Sequence, residues 1–293
     1  MYVNYEYYRI FYTAARCGSF TEAAALLKSN QPNVTRVIRQ LEGQLGCTLF
    51  IRSRRGVSLT PEGERLYRHV EAAVFQLSAA EREMDETDAL RQGIVTIGAT
   101  ETALNIFLLD RLSAFREDYP NIRLRIANHL TVEAARAAVE GTCDFSVVTT
   151  PMPTDLPLTS KKLCDFREIL IASPKLFPDG EKKISLSEIS CYPLIAMGRN
   201  TMTYRFFQEQ FFLQNLPYEP DTEVATADQI LPLVRAGLGI AFVPEPMAKE
   251  ALVSETAVRL HLQQKLPKRS VCLLYRKDRP MSRAAEALFL QYL

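Results

Sequence analysis

The sequence predicts three units in series: a helical head with a small β wing over residues 1–60, a long linker helix over 61–90, and an α/β body over 91–293 in two subdomains. Three observations carry this. Residues 19–60 hold two short helical patterns joined by a tight turn and followed by an arginine-rich hairpin. Beyond Thr60, apolar residues recur at helical spacing over several turns. From residue 94 onward, short apolar runs alternate with helical stretches. A chain of 293 residues also exceeds the usual size of one domain.

In the head, Ser19 followed by Glu22 reads as a capping box, which satisfies amides left free at a helix start. Ala23, Ala24, Leu26 and Leu27 give a compact apolar surface, and the alanines allow a second helix to come close. Lys28-Ser29 is the turn, Asn30 caps the next helix, and Pro32 falls in its first turn, where a missing amide costs little. Val34, Ile38, Leu41 and Leu45 mark the core face of that helix. Its other face carries Gln31, Asn33, Thr35, Arg36, Arg39 and Gln40, which can donate and accept hydrogen bonds in a major groove. The whole is a winged helix-turn-helix pattern, which places one helix in the groove and cations on flanking phosphates.

The wing follows Leu49-Phe50, which anchors it. Arg52, Arg54 and Arg55 precede Gly56, and Val57, Ser58 and Leu59 lead back. Arginine suits phosphate contact or minor-groove insertion because its donors are planar and always charged. Charge points the same way. The net charge of +1 conceals eight basic against three acidic residues in 1–60, and three basic against eight acidic in 61–90. The positive field therefore sits on the head, where phosphates would be.

Thr60 caps the linker helix, Pro61 fits its first turn, and Glu62 and Glu64 favour its amino end. Leu66, Val70, Ala73, Leu77, Ala80 and Met84 follow a 4-3-4-3-4 spacing, a seam suited to the same helix of a second copy. Pairing would set two recognition helices on two half-sites.

In the body, Ile94 to Gly98 reads as a strand, followed by a helix through Leu104, Phe107, Leu108, Leu112 and Phe115. Ile122, Leu124 and Ile126 alternate as a second strand; a helix through Ala134, Ala138 and Val139 ends at Gly141, and Phe145, Val147 and Val148 open a third. The alternation argues for a parallel sheet. A second subdomain is expected over about 162–265, with a strand at 193–197, a helix from about Thr203 to Leu216, and a helical face of Ile230, Val234 and Leu238. The strand Ser270 to Tyr275 and a helix from Met281 to Tyr292 are expected to return to the first subdomain, which then comprises about 91–161 and 266–293.

The stretches YYRIFYTAARCGSFTEAAALL, NQPNVTRVIRQLEGQLG and LFIRSRRGVSLTPEGERL together resemble the head of LysR-type transcriptional regulators, and the resemblance runs the length of the chain. It implies that Gln31, Pro32, Thr35 and Arg36 begin the recognition helix and that the wing supplies arginines. Family members commonly carry Ser or Thr where Asn30 stands and a small apolar residue where Asn33 stands. Asn30 preserves capping, whereas Asn33 adds a polar group on the groove side. The resemblance further implies a periplasmic-binding-protein-like effector domain, homodimers often paired into tetramers, promoter double-stranded DNA as partner, contact with RNA polymerase, and a small-molecule effector in place of a cofactor. Family position puts the effector near Thr100, Thr102, Asn200, Thr201 and Thr203, with Thr149 and Thr226 at two further edges. Strand ends and helix starts there offer free amides, so a small anion is expected, with Arg199 as a charge partner.

The sequence also excludes. Six cysteines, at 17, 47, 143, 164, 191 and 272, form no metal-ligand spacing with the three separated histidines, and read as small core residues. Peroxide-sensing members of the family use a cysteine pair in the second subdomain; Cys164 and Cys191 lack that close spacing. There is no nucleophile elbow, phosphate-cradling glycine motif or metal motif, so catalysis is not expected, and Asp144, Glu168 and His129 are not spaced as a catalytic set. The body alone would suit a solute-binding protein, but the DNA-binding head opposes that. The amino terminus MYVNYEYYRI lacks a signal-peptide pattern and no apolar run is of membrane-spanning length, so a cytoplasmic protein with no membrane contact is expected.

Overall fold

A computed structural model describes residues 3–53, 56–84, 93–178 and 182–293. The chain divides into two compact units, a head of Met1–Asp85 with Glu140–Thr142 and a body of Glu86–Val139 with Cys143–Leu293.

The head opens with α1 (Tyr5–Cys17), α2 (Phe20–Leu26) and α3 (Gln31–Leu45), followed by an antiparallel pair, β1 (Phe50–Ser53) and β2 (Gly56–Leu59), and by α4 (Pro61–Met84). Each helix start is capped as its sequence dictates. Asn4, Ser19 and Asn30 accept hydrogen bonds from the amides of Glu6, Glu22 and Asn33, relieving donors that have no partner within the helix. Ile10, Phe11 and Ala14 of α1, Phe20, Ala23 and Ala24 of α2, and Val34, Val37, Ile38 and Leu41 of α3 close one core with Leu49, Phe50 and Val70. Phe50 anchors the wing, with the rings of Phe11 and Phe20 set edge-on at 5.4 and 5.2 Å. The wing is laced to the α1–α2 turn by the Val57 amide, which donates to the Gly18 carbonyl at 2.8 Å. At that approach Gly56 has φ +129, and a Cβ there would lie 2.4 Å from the Gly18 oxygen, so only glycine fits.

The body holds two sheets. The first takes β3 (Ile94–Ala99), then α5 (Glu101–Ala103), which runs through a π-turn (Leu104–Leu108) into α6 (Leu109–Asp118). It continues with β4 (Arg123–Asn128), α7 (Thr131–Glu140), β5 (Phe145–Thr149) and β6 (Thr159–Phe166). The chain then crosses to β7 (Glu168–Ala172), β8 (Lys182–Ile184), β9 (Leu194–Met197), α8 (Met202–Phe212), β10 (Thr222–Val224), α9 (Ile230–Ala236), β11 (Ile240–Pro244), α10 (Glu245–Val253) and β12 (Val258–Leu262). It returns as β13 (Arg269–Tyr275) and ends in α11 (Arg283–Tyr292). The strand orders are β4-β3-β5-β13-β6 and β10-β9-β11-β7-β12-β8. Two crossings thus join two lobes, as the sequence predicts.

Several expectations need correction. The first sheet is mixed rather than parallel: β3, β4 and β5 run parallel, but β13 is antiparallel to both β5 and β6. A returning strand enters from the other lobe and so has no crossover helix to make it parallel. The first lobe extends through β6 to Phe166 rather than ending near 161. α8 stops at Phe212, and Asn215 follows in the left-handed region at φ 54. Leu238 lies beyond the left-handed cap Gly237 and is exposed, so the α9 core face consists of Ile230 and Val234. The π-turn, which packs against α10 of the second lobe, has no signature in the apolar spacing.

Each lobe has its own core. Val95, Ile97, Phe115, Phe145, Val147, Leu273 and Leu288 fill the first. The second sheet is covered on both faces, by Phe207, Phe211 and Phe242 on one side and by Ile171, Ile195 and Val234 on the other. A strand buried on both faces loses the alternation that marks a half-buried one, which is why β7 and β11 read as continuous apolar runs.

Candidate functional site

Two surfaces bring the sequence-predicted residues together. On the head, burial of Val34, Val37, Ile38 and Leu41 turns the polar face of α3 outward. Gln31, Pro32, Thr35, Arg36, Arg39 and Gln40 line one open hollow along it. Asn30 is spent on capping: its side chain accepts from the Asn33 amide at 2.9 Å. Asn33 donates to Ser29 Oγ at 3.0 Å and accepts from Arg36 Nη2 at 2.8 Å, while Arg36 Nη1 donates to Gln40 Oε1 at 3.0 Å. The guanidinium is thereby braced between two neutral side chains of its own helix. Glu42, which the sequence reading passed over, ties the wing to α3: its Oε1 accepts from the amides of Leu49 and Phe50 at 2.8 and 3.3 Å. Arg54 and Arg55 lie outside the described residues, as do the side chains of Arg52, Ala80 and Met84.

Along α4, Thr60 caps the start by accepting from the Gly63 amide at 3.0 Å and donates to the Thr48 carbonyl at 2.7 Å. Val70 is buried in the head core and Leu66 packs against it, whereas Ala73 and Leu77 are exposed. The predicted seam therefore serves the head in its first two turns and leaves the head surface beyond them.

In the body, the carboxyl ends of parallel strands from both lobes face a shared cleft, the place where open α/β sheets bind ligands. The first lobe contributes Thr100, Glu101 and Thr102 after β3, Asn128 to Thr131 after β4, and Thr149 at the end of β5. The second contributes Met197, Thr201, Met202 and Thr203 between β9 and α8, and Ala225 to Ala227 after β10. The cleft holds an inner space of about 40 Å³ and, beside it, an outer bowl of about 430 Å³ that shares Asn128, His129, Leu130, Ala225 and Thr226 with it and that Glu133, Asn200 and Glu223 also line.

Of the eight predicted effector residues, seven line this cleft. Thr100 and Thr201 do so as helix caps, accepting from the amides of Ala103 and Tyr204. Arg199 does not belong to the set. It is exposed, and its Nε donates to Glu223 Oε1 at 2.9 Å, outside the cleft lining. An exposed arginine next to a carboxylate one strand away pairs locally instead of reaching inward. Among the described residues lining the cleft there is no lysine or arginine, while Glu101, Glu133 and Glu223 are present.

Behind the cleft lining, bonded to Thr149 and Thr203, lies a group that sequence reasoning missed. Arg269, only 2% exposed, begins β13 where the chain returns to the first lobe. Its Nη1 donates to Glu168 Oε1 at 2.5 Å and its Nε to the Thr150 carbonyl at 2.6 Å. Nη2 donates to Thr149 Oγ1 and Thr203 Oγ1, both at 3.0 Å, and the guanidinium sits 5.3 Å from the ring centres of Phe166 and Phe206. Burial pushes the Glu168 carboxyl above its usual range, and Arg269 opposes that shift. One cation thus ties β5 and β13 of the first lobe to β7 and α8 of the second. A basic residue adjoining an apolar run is the only trace it leaves in the sequence.

All six cysteines are free. Cys143 is buried against Ser146, and burial pushes its thiol up to about 11, which makes it inert. Cys164 lies in β6 of the first lobe and Cys191 in a short helical turn (Leu186–Cys191) of the second.

Comparison with known proteins covers both units. Residues 5–64 match the bacterial regulatory helix-turn-helix protein, lysR family, and residues 88–293 match the LysR substrate binding domain. The chain is 28% identical over 288 residues to the uncharacterized HTH-type transcriptional regulator YbhD of Escherichia coli, covering 96% of this chain and 88% of that one. It is 27% identical over 288 residues to the HTH-type transcriptional regulator GltR of Bacillus subtilis, covering 97% and 94%. Among solved structures, full-length CbnR in complex with its target DNA shares the fold with a TM-score of 0.75 at 17% identity, over 99% of both chains. A full-length OxyR variant from Pseudomonas aeruginosa gives 0.68 at 21% identity, over 98% and 94%. With family models matching the head and the whole body, the chain belongs to the LysR family of DNA-binding transcriptional regulators, and it is not an enzyme.

Proposed function

We propose that this regulator binds promoter DNA as a dimer or a tetramer and that a small effector in the interlobe cleft adjusts its output. The observation that carries the DNA half is the exposed α3 face, on which Thr35, Arg36, Arg39 and Gln40 stand side by side with Arg36 braced between Asn33 and Gln40. Arginine on a recognition helix reads guanine or holds phosphate, and the wing adds further cations. The α4 surface bearing Ala73 and Leu77 supplies the dimer contact, which sets two α3 helices on two half-sites. Effector binding shifts the balance between lobe arrangements; α4 transmits the change to the spacing of the heads, and DNA bending and RNA polymerase recruitment change with it. The protein works in the cytoplasm, where promoter DNA is.

The test is affinity for DNA fragments recovered from occupied genomic sites, measured against salt. Specific binding falls steeply with salt, roughly in proportion to the number of phosphates neutralised. Arg36→Ala removes about 1–3 kcal/mol at the cognate site and much less on random DNA. Equal loss on both would make Arg36 a phosphate contact only. Footprints and bend angles unchanged at saturating effector would exclude the transmission route.

A further inference from the structure

We infer that the cleft takes an amino-acid-class effector, with its carboxylate on the Thr149 and Thr203 hydroxyls and its protonated amine on Glu101. This rests on the reading of the cleft as the effector site and gives that effector its charge pattern.

Part of the inner space is made of donors. Arg269 Nη2 donates one hydrogen bond each to Thr149 Oγ1 and Thr203 Oγ1, so each hydroxyl has an acceptor position filled from behind. The proton of each hydroxyl is then left to donate forward, into the space those two residues line. The amides of Met202 and Thr203 lie in the first turn of the 11-residue helix α8, ahead of the first amide that the helix itself can satisfy. The Thr201 cap serves only the Tyr204 amide. Two hydroxyls, two amides and the positive end of a helix dipole border one small space, which fits a carboxylate.

The carboxylates supply the opposite character: Glu101 lines the same small space, and Glu133 and Glu223 line the outer bowl. Glu101 is held between the side-chain amides of Asn105 and Asn128, at 2.7 and 3.1 Å, so its carboxylate is oriented by neutral donors and meets no cation. Glu133 accepts from the Leu130 amide at 3.2 Å, again a neutral donor. Glu223 is the one whose charge is answered, by Arg199. Glu101 in the inner space and Glu133 in the outer bowl thus lack a cationic partner among the described residues. A simple anion entering past them would be repelled, whereas a protonated amine would complete them. The outer bowl of about 430 Å³ suits a metabolite and not a polymer.

The test uses the full-length chain and a defined panel: the standard L-amino acids, 4-aminobutyrate and 5-aminopentanoate, each beside its deaminated acid and its decarboxylated amine. Calorimetry and thermal shift read binding. We expect at least one amino acid to bind, its deaminated acid to bind about tenfold more weakly or worse, and Glu101→Gln to weaken the amino acid by about tenfold. Thr203→Val should weaken the amino acid and the acid alike. A deaminated acid that binds as tightly as its amino acid overturns the inference. So does an amino acid indifferent to Glu101→Gln but weakened by Thr203→Val, although the cleft then stands as the effector site. Binding indifferent to Glu101→Gln, Thr149→Val and Thr203→Val places the ligand elsewhere and removes the cleft reading itself. If no amine-bearing member of the panel binds at millimolar concentration, the inference is wrong.

Discussion

Arg36 and Arg269 show how the same side chain does different work according to what surrounds it. Arg36 is exposed and braced by two neutral amides, so its charge is available to a partner. Arg269 is enclosed, with four of its N–H groups donated to protein oxygens, so its charge is consumed in holding the lobes together. Removing Arg269 alone would leave the Glu168 carboxylate buried and unanswered. Arg269→Met should therefore lower stability by about 3–5 kcal/mol, and adding Glu168→Met should recover much of it, since the penalty comes from the unpaired charge. Urea denaturation of the two variants checks this; a loss below about 1 kcal/mol for Arg269→Met would mean that solvent reaches the pair. At the same scale, Asn30→Ala should cost about 1 kcal/mol through the lost cap and lower the unfolding temperature of the head. Caps such as Ser19, Asn30 and Thr60 were legible in the sequence because a helix start needs a specific acceptor at a specific position. Arg269 and Glu168 were not, because partners 101 positions apart leave no local pattern.

The elements with a regular apolar period were equally legible. α3 and α4 follow from it, and so does the wing, whose anchor at Leu49-Phe50 and turn at Gly56 the sequence marks. What the period does not carry is direction and context. It cannot tell a parallel strand from a returning antiparallel one such as β13, and it passes over the π-turn between α5 and α6. It also assigns an apolar residue to a seam without saying which surface claims it, as with Val70. That distinction yields a contrast. Val70→Asp should unfold the head, because it buries a charge in the core. Leu77→Asp should leave the monomer folded and disrupt pairing along α4, because Leu77 is 45% exposed. Circular dichroism and sedimentation equilibrium separate the two outcomes. A Leu77→Asp protein that still dimerises with wild-type affinity would place the dimer contact elsewhere. For the wing, Phe50→Ala should cost about 3–5 kcal/mol, since the ring fills the space between Phe11 and Phe20.

For the whole molecule, the division of labour follows from charge and topology. A basic head with a polar helix face turned outward is suited to DNA, and a two-lobed body with strand ends facing one cleft is suited to a small ligand. Both were expected from the sequence; the character of the cleft was not, because its three carboxylates come from separate segments around residues 101, 133 and 223, which only folding brings together. The central claim is that the α3 face directs this chain to specific promoters. The most direct measurement is genome-wide occupancy in the source cell of the wild-type protein and of an Arg36→Ala, Arg39→Ala variant at matched expression. A few strong intergenic peaks centred on a short inverted repeat, lost in the variant, are the predicted result. The same peaks in both proteins, or diffuse occupancy by the wild type, would contradict it.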